Sequence, residues 1–183
     1  MDAIMMHQFG FTQTVAAMGT AVTEQMVKLL GNITKNVYLA MDNDPAGKKA
    51  AQKINAEFMS VGVLPKVLNF DPHKDPDEYL LHEGRLALQE RLEKAPILLD
   101  QLIAELIPIP IPENLELKLN TLQRIFEVVS PLKENLTATE RIVTAAKTLR
   151  FNADAATILE QYKTHLSNQK EKPLPQPVKT SAL

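Results

Sequence analysis

Val37-Tyr-Leu-Ala-Met-Asp-Asn-Asp-Pro-Ala-Gly-Lys48 combines a short apolar run with two aspartates and a proline. The run fits a buried parallel strand, and Pro45 suits the first turn of a helix that follows. Asp42 and Asp44 therefore fall at the carboxyl end of the strand, with no basic residue beside them to neutralise them. Hard oxygen ligands so close together suit Mg²⁺ or Mn²⁺, which prefer carboxylates and water and often bridge to phosphates. The same residues also fit a plainer reading, with Asp44 as a helix cap and Asp42 as a solvated turn residue.

The flanking segments extend this pattern. Over residues 1–84, a short helix from Ala3 to Gln8, a strand from Thr12 to Met18 and a helix from Thr23 to Leu30, stopped by Gly31 and Asn32, precede the strand Val37–Met41. Ala46, Ala50, Ile54 and Phe58 recur every fourth residue, which predicts a helix from Pro45 to Ser60 that closes at Gly62. Val63–Phe70 reads as a third strand, placed at a sheet edge by Pro65. Strands alternating with crossover helices imply a parallel α/β sheet. Beyond Gly84 the strand signal ends, and four amphipathic helices are expected: Pro96–Ile107, Glu113–Val129, Ala138–Leu149 and Ala153–Leu166. Thr137-Ala-Thr-Glu140 matches a capping box for the third of them. Pro108-Ile-Pro-Ile-Pro112 predicts a stiff extended connector. The expected organisation is an α/β domain over 1–84, a helical bundle over 85–167, and a disordered tail or linker over 168–183, where Pro173, Pro175 and Pro177 fall.

Composition bounds the function. The 183 residues are 45% hydrophobic and 23% charged, as in an ordinary globular protein. A net charge of -2 provides no general basic footprint for nucleic acid. Up to Gly84 there are seven Lys or Arg against ten Asp or Glu, so bound divalent cations would reverse the local field that a polyanion meets. Zero cysteines exclude disulfides and thiolate zinc sites, and no zinc is expected. Apolar runs fall short of the roughly 20 residues that cross a bilayer. The opening residues lack the basic flank and cleavage site of a secretory signal, so a cytoplasmic location is expected.

A second Asp-Pro occurs at Asp75-Pro76, after Lys74 and before Asp77 and Glu78. It too follows an expected strand and precedes an expected helix. If the two strands are parallel neighbours, both turns lie on the sheet edge where open α/β folds bind ligands. Asp42, Asp44, Asp75 and Asp77 could then converge on a cation, with helix N-termini offsetting the repulsion between them. Two independent helix caps would explain the residues equally well.

Asp42-Asn-Asp-Pro-Ala-Gly47 and Lys74-Asp-Pro-Asp-Glu-Tyr-Leu80, taken together, resemble the Toprim domain of bacterial replicative primases of the DnaG type. Met18-Gly-Thr-Ala-Val-Thr-Glu24 resembles that family's stretch before the acidic strand, and Met1-Asp-Ala-Ile resembles the continuation of its Glu-Gly-Tyr-Met-Asp motif. The resemblance implies synthesis of short RNA primers from nucleoside triphosphates on a single-stranded DNA template by two-metal nucleotidyl transfer. It assigns Asp42 and Asp44 to catalytic metal, and Asp75 and Asp77 to the same metal and phosphate site. Lys48 becomes a candidate phosphate contact, against the plainer reading of a solvated helix lysine.

The departures from the family also count. Its Toprim glutamate precedes the segment that matches Met1, and its zinc-binding, basic and helicase-binding parts have no counterpart in these residues. A fragment inactive alone is the expectation. Two further readings compete with it: an interaction module with a vestigial acidic site, and another Toprim protein of nuclease or topoisomerase type. Phosphatases with an aspartyl nucleophile resemble Asp-x-Asp-x-Thr, whereas position 46 is Ala.

Overall fold

A computed structural model describes residues 2–17, 22–41 and 44–170. By internal contacts the chain divides into Met1–Pro110 and Ile111–Leu183. The described part of the first unit is a two-stranded parallel sheet flanked by helices, the α/β class expected. Its elements are α1 (Asp2–Gln8), α2 (Glu24–Ile33), β1 (Tyr38–Ala40), α3 (Pro45–Ser60), β2 (Lys66–Leu68), α4 (Pro76–Lys94) and α5 (Leu98–Leu106). Tyr38 pairs with Lys66, Leu39 with Val67 and Ala40 with Leu68. The outer side of β2 is also engaged: Val67 N–H donates to Pro96 O at 3.0 Å, and Lys66 bridges Ile97 in antiparallel sense. The edge that Pro65 predicted is thus covered by the chain entering α5.

Local chemistry explains most element boundaries. Helix α3 runs over the predicted span, with Asp44 as its cap and Pro45 in its first turn. Its buried stripe is Gly47, Ala51, Ile54, Asn55, Phe58 and Met59, shifted by one residue from Ala46 and Ala50. Phe70, Tyr79, Leu80 and Leu88 join Met6 and Leu68 in the core that packs α1 and α4 against the sheet.

Four expectations are corrected. Residues 12–17 form no strand: Thr14 N–H turns back to Phe11 O at 3.2 Å and Val15 is 70% exposed. A pattern of β-formers becomes a strand only when a neighbour pairs with it, and none does here among the described residues. Gly31 does not end α2, which continues to Ile33. It is helical because α2 lies close against the chain after α3; a Cβ there would stand 3.2 Å from Val61 Cγ2. Helix α4 is kinked at Gly84, whose φ 80° and ψ -179°, a conformation costly to other residues, divide it into two helical stretches. Residues 85–106, grouped with the bundle on sequence, therefore pack within the first unit. The tail expected from 168 begins instead with helix, since α8 extends to Lys170.

The second unit contains α6 (Leu115–Val129), a 3₁₀ turn at Ser130–Leu132, α7 (Leu136–Thr148) and α8 (Ala155–Lys170). Asn135, two residues before Thr137, caps α7 by accepting from Ala138 N–H at 2.8 Å. The expected capping box is therefore displaced, because an Asx cap satisfies the same orphan amides. Ile125, Phe126 and Val129 on α6, Ile142 and Ala145 on α7, Leu149 just after it, and Ile158 and Tyr162 on α8 are buried. The Tyr162 hydroxyl donates to Lys133 O at 3.2 Å and faces Val129 O at 3.4 Å.

Two measurements check this packing. Leu80 is fully buried, so Leu80→Ala is expected to cost about 2–5 kcal/mol in urea unfolding. Burial pushes the Tyr162 hydroxyl up to about 12, and the Glu134 carboxylate adds to the effect. The folded state therefore holds this proton more tightly than the unfolded state, whose value is 10.0. The resulting stability is present below pH 10 and is lost as pH rises toward 12. Denaturation midpoints across that range should fall more steeply for the parent chain than for Tyr162→Phe.

Candidate metal and phosphate site

Because β1 and β2 are parallel and in register, the chain leaves both strands toward the same rim of the sheet. Each exit opens a helix. Asp44 accepts from Gly47 N–H at 2.6 Å at the start of α3, and Asp75 accepts from Glu78 N–H at 2.9 Å at the start of α4. Both aspartates are thus helix caps, as the plainer reading held. Capping occupies Oδ1 in each case and leaves Oδ2 for another partner. Two N-termini on one rim also add their partial positive charges, which favours phosphate as well as carboxylate.

Asp77 stands in the first turn of α4, and its Oδ1 is buried with no hydrogen-bond partner among the described residues. An unpaired buried acceptor costs about 1–3 kcal/mol, and more when charged. A cation would remove that cost, although Asp44, Asp75 and Asp77 do not bring ligand atoms within 4.8 Å of one another among the described residues. Asp42 lies outside the described residues, as does part of the Met18–Glu24 stretch. Lys48 is exposed in the first turn of α3.

The turn from β2 to α4 is tightly held. Asn69 and Asp71 exchange two hydrogen bonds, at 2.7 and 2.9 Å, and His73 N–H donates to Phe70 O at 2.7 Å. Arg91 reaches back to Asn69 O and lies over the Tyr79 ring, 4.5 Å from its centroid. Among the described residues, the group of three side chains whose ligand atoms all lie within 4.8 Å of one another is His73, Glu78 and His82. These residues were not singled out on sequence. Their signal was present, as a Glu and a His four apart on one helix face with a second His five residues upstream.

Residues 1–80 match the family model described as Toprim-like. The DNA primase of Clostridium acetobutylicum is 28% identical over 144 residues, which cover 74% of this chain and 23% of that protein. The DNA primase of Synechococcus elongatus is 36% identical over 112 residues, covering 58% and 16%. The chain thus spans less than a quarter of either relative. A DNA primase domain from Pseudomonas aeruginosa shares the fold with a TM-score of 0.76 at 23% identity, over 90% of this chain and 51% of that one. A DnaG primase catalytic domain bound to single-stranded DNA matches with a TM-score of 0.73, also at 23% identity, over 85% of this chain and 50% of that one. The fold is that of the DnaG catalytic cores. Residues 1–80 are thus similar to the Toprim-like family, and the chain is similar over part of its length to DNA primases. Among the described residues, no helix is long and apolar enough to cross a membrane.

The cap role and the metal role of Asp75 can be separated. Asp75→Ala should lower stability by about 1 kcal/mol, whereas Asp75→Asn, which keeps the accepting oxygen, should stay within a few tenths. Thermal melts in metal-free buffer check this.

Proposed function

We propose that the rim of the β1–β2 sheet is the cation and phosphate site of a primase-type nucleotidyltransferase, with Asp42, Asp44, Asp75 and Asp77 as its metal-holding residues. The observation that carries the reading is the parallel register of the two strands, which sends both Asp-Pro turns to one edge. Kinship with DNA primases supports primer synthesis as the reaction, with nucleoside triphosphates as substrates and single-stranded DNA as template.

Divalent cations bound there would neutralise charge on the transferring phosphoryl group and leaving pyrophosphate. The residues of this chain would do the positioning. Asp44 and Asp75 each spend one oxygen on a helix cap, which fixes the direction of the other oxygen. Asp77 contributes an acceptor with no competing partner among the described residues. The amides at the starts of α3 and α4 favour a phosphate brought to the rim. Lys48, on the exposed face of α3, would add a cation to that approach.

The proposal has two parts: the aspartates bind a divalent cation, and the bound cation serves primer synthesis. Calorimetric titration with Mn²⁺ tests the first part: saturable binding is expected in the parent chain, at least tenfold weaker in Asp42→Asn. Equal affinity in the two would sink the proposal and favour an interaction module with a vestigial acidic site. Primer formation that persists unchanged in Asp42→Asn would overturn the second part.

A further inference from the structure

His73, Glu78 and His82 form a ligand set of a different chemical class from the aspartates. His73 lies in the turn before α4, while Glu78 and His82 stand one helical turn apart on α4 itself. The His73 and His82 rings stack with centroids 5.1 Å apart and planes 11° from parallel, so sharing one ion requires the exposed His82 ring to turn until its lone pair meets that of His73. Tyr79 meets the His73 ring edge-on at 5.6 Å and helps hold it.

Two further hydrogen bonds orient these groups. His73 Nε2 lies 2.8 Å from Glu83 Oε1, and Glu78 Oε2 accepts from the Lys74 amide at 2.7 Å. With Nε2–H donating to Glu83, His73 presents Nδ1 as its ligating nitrogen. Glu78 correspondingly presents Oε1. A carboxylate behind the second nitrogen of an imidazole is the usual outer support of a metal-bound histidine.

We propose that His73, Glu78 and His82 bind one Zn²⁺ or a similar imidazole-preferring cation, with Glu83 orienting His73. Two nitrogens and one carboxylate oxygen make a three-ligand site with a coordination position left for water. Glu78 and His82 are exposed, which opens that position to solvent. Imidazole ligands favour Zn²⁺, Ni²⁺ and Cu²⁺ over Mg²⁺, so the site is selective against the cation proposed for the aspartates. No zinc was expected because the chain has no cysteine, a criterion blind to imidazole sites. The ligands bracket Asp75 and Asp77 in sequence, so a bound ion would pin the turn that carries both.

Titration of the 183-residue chain with Co²⁺, followed by visible absorption and by imidazole NMR resonances, tests the site. In a millimolar Mg²⁺ background that occupies the aspartates, one saturable Co²⁺ is expected, displaced by Zn²⁺, with the His73 and His82 resonances shifted. Glu83→Gln should weaken binding about tenfold, and His82→Ala by on the order of 100-fold or more, since removing a ligand exceeds losing an outer partner. His82 is exposed, and circular dichroism will show that its variant folds. His7→Ala and His165→Ala should leave Co²⁺ binding unchanged. Failure to saturate at one equivalent, unchanged affinity in His82→Ala, or loss in His7→Ala or His165→Ala would each overturn the proposal. Loss of Mn²⁺ binding alone in Asp42→Asn bears only on the aspartate site.

Discussion

Three residue pairs of parallel ladder, Tyr38–Lys66, Leu39–Val67 and Ala40–Leu68, decide where everything chemical in the first unit stands. Parallel strands leave the sheet at one edge, and the turn after β2 is tied back to it by Arg91, which bonds Asn69 O. The turns carrying Asp44 and Asp75 are consequently neighbours by topology, although about thirty residues separate them. An antiparallel pair would have sent them to opposite ends. The Pro96 and Ile97 backbone completes the outer side of β2, so the short ladder does not stand alone.

At that rim, two of the side chains proposed for cation binding are also helix caps. An aspartate that caps a helix uses one oxygen and keeps a negative charge beside the amide ends of the helix, where it is favoured. Its second oxygen is held in a direction set by the cap. Asp77, one position inside α4, has a buried oxygen with no partner among the described residues, and it marks where the rim is least satisfied. The plain reading as caps and the reading as ligands are therefore compatible, because a carboxylate has enough lone pairs for both.

The turn between β2 and α4 is the most heavily determined part of this rim. Asn69 and Asp71 lock its start, Arg91 reaches back to it from α4, and Tyr79 packs under both Phe70 and His73. Rigid placement of a turn matters for metal chemistry, since ligand atoms must be held in place before the ion arrives. In this chain the support comes from aromatic packing and backbone capping. No disulfide can contribute, because the chain contains no cysteine.

The amino-acid order by itself determined helix α3 and the starts of α3 and α4, because Asp-Pro sets a cap and a fixed first φ without help from distant residues. It also determined the apolar character of β1 and the helical nature of residues 113–166, where the stripe repeats over several turns. Tertiary structure alone decided whether residues 12–17 would pair as a strand, whether Gly31 and Gly84 would end their helices, and which residues would face His73. Local signals depend on a residue and its near neighbours, whereas strand pairing, tolerance of a helical glycine and ligand convergence depend on what the fold brings from elsewhere.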